Sequence, residues 1–257
     1  MEFSNKVIIV TGASSGMGRE LSLQFAKEGA KVIAVARREE RLQEISKIAK
    51  DEKYEGVIVP YVGDLSKEET NEAIIDYAFK EFGTLDILIN NAGVLDNFAP
   101  VGEVTNECIN KVMAVDMMAP FYSTRKAVNE FMKHNIKGNI INIASIAGIC
   151  GGKAGAAYTM AKHAIVGLTK NTGFIYRENG IRCNCVCPGG IHTEMTEPQA
   201  FANASQRGLA NAMLATNFKI SSGYVTDVAA LVLFLASEKS SYISGQAIAL
   251  DGALTSY

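Results

Sequence analysis

Short runs rich in Val and Ile alternate with longer stretches of helical period along the whole chain, and few architectures accept that pattern. Runs such as VIIV at 7–10, ILIN at 87–90 and IINIA at 140–144 are apolar almost throughout, so as strands they need cover on both faces. A parallel sheet clothed by helices supplies it. Strands are expected near 6–11, 31–36, 57–62, 85–90, 138–144, 181–187 and 246–250, with helices near 17–29, 38–51, 67–82, 106–135, 156–179 and 226–237. Ser66 and Glu69 are spaced as a capping box for the third helix, and Gly29 stops the first. The alternation predicts an α/β fold in one domain, 1–257.

The stretch 189–225 breaks the alternation. It follows a strand's carboxyl end, where a substrate lid is expected, and Thr196 with Gln199 suggests a helix start inside it. It carries Met195, Phe201, Leu209, Met213, Leu214 and Phe218, enough apolar surface to cover a bulky ligand, or else to serve ordinary lid packing or a subunit contact.

Charge and hydropathy exclude some functions. Lys and Arg number 25 against 27 Asp and Glu, a net charge of −2, so no field draws in polyanions and a nucleic-acid partner is not expected. The longest strongly apolar run, Val228–Ala236, is far shorter than the roughly 20 residues of a membrane span. The opening residues show no signal-peptide pattern, so a cytoplasmic location is expected. Cys183, Cys185 and Cys187 alternate along one strand and share a face, but His134, His163 and His192 are scattered. The thiols read as small buried apolar groups, with no metal expected.

The first strand runs into TGASSGMG, where Gly12, Gly16 and Gly18 lead into an amphipathic helix. Bare backbone N–H groups and a helix N-terminus at such a turn can approach a pyrophosphate; the bland alternative is a purely structural turn. After the second strand a fold built for NAD places an acidic residue to bond the ribose hydroxyls. Here the position is Ala36, followed by Arg37 and Arg38, whose forked guanidinium groups suit a 2′-phosphate and favour NADP(H). Two solvated arginines opening a surface helix are the alternative.

Tyr158 and Lys162 in YTMAK stand four residues apart on one helix face, and Ser145 follows the strand IINIA. A tyrosine pKa near 10 is too high for easy proton exchange at neutral pH. An ammonium at about 4 Å and an effective dielectric near 20 is worth on the order of 4 kcal/mol before desolvation, and each pKa unit is about 1.4 kcal/mol. Tyr158 is therefore expected to act as a proton donor and acceptor near pH 7–8.

TGASSGMG, NNAG at 90–93, Ser145, YTMAK and PGGIHT at 188–193 occur in order over essentially the whole chain, which closely resembles the short-chain dehydrogenase/reductase family in its form of about 250 residues. The resemblance implies a Rossmann-like, doubly wound, seven-stranded parallel sheet carrying a nicotinamide dinucleotide, and reversible conversion of a ketone and a secondary alcohol. Ser145 would hydrogen-bond the substrate oxygen, Tyr158 would move its proton, and Lys162 would hold the nicotinamide ribose. Gly12, Ser14, Ser15, Gly16, Met17 and Gly18 would cradle the phosphates. Asp64 and Leu65 would receive the adenine, and Asn91, Ala92 and Gly93 would line its ribose. Pro188, Gly189, Ile191 and Thr193 would clasp the carboxamide. An asparagine usual in the family's tetrad is replaced by Asp116, and ALDGALTSY departs from the usual second glycine after DG. The resemblance further implies a homotetramer built on the helices near 106–135 and 156–179 and on the last strand. A hydrophobic, hydroxysteroid or bile-acid-like small molecule is the favoured substrate. A 3-oxoacyl thioester, a small ketone or a sugar are alternatives, and an NADP-binding sensor without turnover is the non-enzymatic one.

Overall fold

The computed structural model describes every residue except 215, 218 and 257, so Phe218 of the expected lid lies outside the described residues. The chain runs β1 (Val7–Thr11), α1 (Gly16–Lys27), β2 (Lys31–Ala36), α2 (Glu39–Asp51), β3 (Val57–Val62), α3 (Glu68–Phe82) and β4 (Ile87–Asn90). Next come α4 (Asn106–Val112), α5 (Ala119–His134), β5 (Asn139–Ile143), α6 (Ala156–Ile175), β6 (Arg182–Pro188), α7 (Gln206–Leu214), α8 (Val225–Ala236) and β7 (Ala247–Leu250). All seven strands pair parallel in the order β3-β2-β1-β4-β5-β6-β7. This is the expected Rossmann-like sheet in one domain.

Hydrophobic burial assigns the layers. Ile8 and Val10 of β1 pack with Leu21 and Phe25 of α1, Leu42 and Ile45 of α2, and Val228 and Val232 of α8. The alternate residues Val7 and Ile9 face Ile74 and Ile75 of α3 and Phe131 of α5. Strand β1 is thus buried on both faces, as its unbroken apolar run requires. Pro60, which cannot donate to a ladder, falls in the edge strand β3. Cys183, Cys185 and Cys187 are fully buried in β6, where burial pushes the Cys183 thiol up to about 12.

The sheet order reverses between β1 and β4. In doubly wound sheets the crevice beyond the strand ends at such a point takes the ligand.

Three sequence expectations need correction. The helix expected over 106–135 is interrupted by a π-helical stretch, Met113–Met118. Pro120 has no N–H for the carbonyl four residues back, that of Asp116, so the regular ladder cannot pass through this point. The Ser66–Glu69 capping box does not form: Lys67 is the N-cap without a side-chain bond, and Ser66 N–H is taken by Asp64 Oδ1 at 3.1 Å. A 3₁₀ turn, Pro198–Phe201, N-capped by Glu197, begins just beyond Thr196, but no α-helix starts at Thr196. That residue ends a 3₁₀ turn, Glu194–Thr196, capped reciprocally with Thr193, and the helix of the insertion is α7, further along.

Candidate active site

The loop after β1 is shaped by close approach. Gly12 has φ +69°, a region that side chains disfavour, and a Cβ there would lie 2.9 Å from the Ala92 Cα. A Cβ on Gly18 would lie 2.4 Å from the Gly12 carbonyl oxygen. Thr11 locks this loop to the end of β4, because its hydroxyl oxygen accepts from Asn91 N (2.9 Å) and Ala92 N (3.1 Å).

The loop opens onto a cavity of about 470 Å³ at the switch point. Gly12, Ser14, Ser15, Gly16, Met17, Arg37, Arg38, Asp64, Leu65, Asn91, Ala92, Gly93 and Thr193 of the expected cofactor set line it. Gly18 supports the loop from behind, and Pro188, Gly189 and Ile191 stand outside the lining. Met195, expected as a lid residue, also lines it, and Lys111, Val115 and Glu194 do so without having been expected from sequence.

The lining fits a dinucleotide. Its glycines leave backbone bare beside the N-terminus of α1, and Asn91 keeps a buried Oδ1 without a hydrogen-bond partner, an acceptor free for a ligand hydroxyl.

At the adenosine end the two arginines have different surroundings. Arg37 stands near Asp64, whose carboxyl is held low first by its hydrogen bonds with Ser66 and more weakly by the Arg37 charge. Arg38 crosses the glycine-rich loop, donating to Ser14 Oγ at 3.0 Å and Ser15 Oγ at 2.7 Å. It also pairs with Glu194 at 3.2 Å, which Arg41 engages from α2. Arg38 is therefore anchored to the phosphate-binding loop, whereas Arg37 is exposed and no bond ties it to that loop.

The other end of the cavity adjoins a buried polar cluster. A Cβ on Gly93 would lie 3.2 Å from Asp116 Oδ2 and 3.4 Å from Lys162 Nζ. Helix α6 brings Tyr158 and Lys162 together, with Lys162 Nζ 5.2 Å from the tyrosine ring centroid. Lys162 Nζ donates to Ile143 O at 3.2 Å and pairs with Asp116 Oδ2 at 3.5 Å. Asp116 Oδ1 accepts from Val94 N at 2.8 Å. The π-helical stretch delivers Asp116 to this position. Ser145 lies just past β5 as the N-cap of a 3₁₀ turn, Ile146–Gly148, with its Oγ accepting from Ala147 N, and its side chain hydrogen-bonds Tyr158.

Electrostatics modify one expectation. Burial raises the Tyr158 pKa, and Asp116 adds to the rise, while Lys162 and Ser145 pull it down without reversing the direction. For Lys162, burial acts to lower the pKa, yet Tyr158 and Asp116 hold it above its ordinary value. Burial pushes Asp116 up to about 6, against the lowering by Lys162 and the Val94 N–H. The Lys162 field alone thus does not bring Tyr158 to neutrality in this state of the protein.

Above about pH 6 Asp116 is ionised and its charge disfavours tyrosinate. Asp116→Asn removes that charge while keeping the shape, so the pH profile of alcohol oxidation is expected to move to lower pH with activity retained. Below about pH 6 the two profiles should converge, because the carboxyl is already neutral there. Superimposable profiles throughout would show that Tyr158 does not feel the Asp116 charge.

Comparison with known proteins identifies the family. The family described as short chain dehydrogenase matches residues 6–203. The chain is 36% identical to 3beta-hydroxysteroid dehydrogenase 2 of Eggerthella lenta, over 99% of this chain and 96% of that protein. It is 33% identical to a diacetyl reductase [(S)-acetoin forming] of Staphylococcus epidermidis, over 97% of this chain and 98% of that one. The crystal structure of levodione reductase superposes with a TM-score of 0.89 at 29% identity, covering 99% of this chain and 100% of that chain. The chain belongs to the short-chain dehydrogenase/reductase family, oxidoreductases that bind a nicotinamide nucleotide.

Proposed function

We propose that this protein is an NADP(H)-dependent oxidoreductase that interconverts a ketone and a secondary alcohol on a hydrophobic, hydroxysteroid-like substrate. One juxtaposition carries the reading: a buried Tyr158, with Lys162 beneath its ring and Ser145 bonded to it, adjoins a dinucleotide-sized cavity whose far end presents Arg37 and Arg38 and no carboxylate at position 36.

The bound nicotinamide supplies hydride exchange with the carbonyl carbon. In the reducing direction Ser145 donates a hydrogen bond to the carbonyl oxygen and Tyr158 gives that oxygen its proton. Lys162 stabilises the resulting tyrosinate, while Asp116 and the Ile143 carbonyl fix the ammonium beneath the ring.

For the cofactor, Arg38 supports NADP(H) through its anchorage on Ser14 and Ser15. A 2′-phosphate competes with Glu194 for that guanidinium, since both are anions drawn to one fork.

For the substrate, support comes from the Eggerthella lenta hydroxysteroid dehydrogenase and from the 189–225 segment, which we assign as a lid. Met195 lines the cavity, and Met213 and Leu214 of α7 are exposed apolar groups available to a bulky ligand. The Staphylococcus epidermidis diacetyl reductase favours a small ketone as the second reading. Comparing kcat/KM for keto steroids, keto bile acids and short diketones separates them: preference for the rigid polycyclic ketones supports the first, and preference for diacetyl overturns it.

We further propose assembly as a homotetramer. Helices α5 and α6 expose Phe121, Met132, Met160, Phe174 and Ile175, more large apolar surface than helices facing only water normally carry. Light scattering at micromolar concentration is expected to give four times the chain mass; a monomer mass refutes the assignment.

A further inference from the structure

Helix α6, which carries Tyr158 and Lys162, begins at a residue with no side chain to cap it. Gly155 is its N-cap, and no side-chain cap bond is made from that position. The first N–H groups of a helix need acceptors, and buried ones left without a partner cost stability. Here the acceptor comes from a distant part of the chain. Asp96, in the loop after β4, is fully buried. Its Oδ1 accepts from Gly155 N at 3.1 Å and its Oδ2 from Tyr158 N at 2.8 Å. A Cβ on Gly155 would lie 2.5 Å from Asp96 Oδ2 and 2.5 Å from Ala99 N, so the close approach needs glycine.

The same carboxylate organises a strained turn. Asn97 and Phe98 have φ +56° and +57°, two consecutive non-glycine residues in the left-handed region, each at a cost of about 1–3 kcal/mol. Asp96 Oδ1 also accepts from Phe98 N at 3.1 Å, which closes the turn. The turn then grips the insertion. Asn97 O accepts from Ser205 N at 2.8 Å, the Phe98 ring meets that of Phe201 at 5.7 Å, and a Cβ on Gly208 would lie 1.7 Å from Phe98 O. One buried side chain and the two residues after it therefore connect the first turn of α6 with α7 and its approach.

We infer that Asp96 is a positioning residue: it fixes the first turn of α6, and hence the height of the Tyr158 hydroxyl, against the segment that covers the substrate. This rests on the proposed role of Tyr158. A displacement of about 1 Å at a reacting group can cost on the order of 100-fold in rate, so a tie to the backbone N–H of Tyr158 bears directly on turnover. Asp96 also acts through charge. The groups acting on the phenol are Lys162 on its own helix, Asp116 from the π-helical stretch, Ser145 after β5 and, most weakly, Asp96, whose negative charge opposes tyrosinate.

Two variants separate position from charge. Asp96→Asn keeps the size but loses one acceptor and the charge. Its kcat is expected to fall at least about tenfold with NADPH affinity within about twofold, and its pH profile should move to lower pH. Gly155→Ala keeps the charge and displaces the carboxylate, so kcat should fall by a similar factor with a smaller movement of the profile than in Asp96→Asn. Wild-type kcat in both variants overturns the positioning role, and an unmoved profile in Asp96→Asn overturns the electrostatic one.

Hydrogen exchange on the cofactor-free protein supplies a readout independent of activity. In Asp96→Asn, exchange at 155–161 and at 205–209 is expected to accelerate together. Acceleration at 155–161 alone contradicts the connection to α7. If the wild-type protein turns over no ketone, the reading of Tyr158 fails, while the exchange result still decides whether Asp96 ties the two segments.

Discussion

Tyr158→Phe is expected to lower turnover by at least about 100-fold, the loss typical of a missing acid or base, while NADPH affinity stays within a few-fold. The substitution removes one oxygen and leaves the ring, whose contacts with Ala157, Ala161, Val112 and their neighbours belong to a small buried cluster. Lys162 keeps its bonds to Ile143 O and Asp116, so the positive charge beneath the ring remains. A buried phenol is a weak acid, and the protein meets that difficulty with Lys162 and the Ser145 hydrogen bond. Only when a substrate oxygen and the cofactor complete the cluster does the proton have somewhere to go. The loss should therefore appear in kcat, with little change in cofactor binding measured by fluorescence titration. Near-normal turnover would remove Tyr158 from the chemistry.

Ala36→Asp is expected to invert cofactor choice, lowering the ratio of kcat/KM for NADPH over NADH by about 100-fold or more. Ala36 ends β2, is buried, and lines the cavity beside Arg37 and Arg38. A carboxylate there offers the ribose hydroxyls an acceptor and sets a negative charge against a 2′-phosphate. Like charges brought together cost several kcal/mol, and each 1.4 kcal/mol is a factor of ten. Arg38 contributes to the same contrast, since the new carboxylate would also compete for it. Steady-state kinetics with both nucleotides measure the ratio. A wild-type protein that prefers NADH at equal concentrations would show that Arg37 and Arg38 do not read a phosphate.

The layer architecture was legible in the sequence because doubly buried strands carry an unmistakable pattern. VIIV, ILIN and IINIA are apolar almost throughout, which calls for helices on both faces of the sheet but leaves the order of the strands open. The glycine-rich turn, NNAG and YTMAK were legible for a related reason: each is a local motif, and the sheet gathers them at the carboxyl ends of β1, β4 and β5. What stayed hidden depends on distant partners or on short segments. Asp96 looks like an ordinary loop residue, because the N–H groups it accepts lie 59 and 62 residues further on. Glu194 gives no sign of its arginine partners on the far side of the cleft. Helix α7 is nine residues long, too short to stand out in a segment of broken period. The π-helical stretch had a signal in Pro120, four residues after Asp116, which an unbroken helix over 106–135 overlooked.

Following NADPH oxidation and alcohol formation together tests whether Tyr158 carries NADP(H)-linked carbonyl chemistry in this protein. Wild-type protein and Tyr158→Phe would be compared over a panel of keto steroids, keto bile acids and short ketones. The expected result is one alcohol formed per NADPH oxidised with at least one hydrophobic ketone, and loss of both signals in the variant. Saturable NADPH binding by the wild-type protein with no oxidation across the panel would contradict that chemistry and identify a nucleotide sensor.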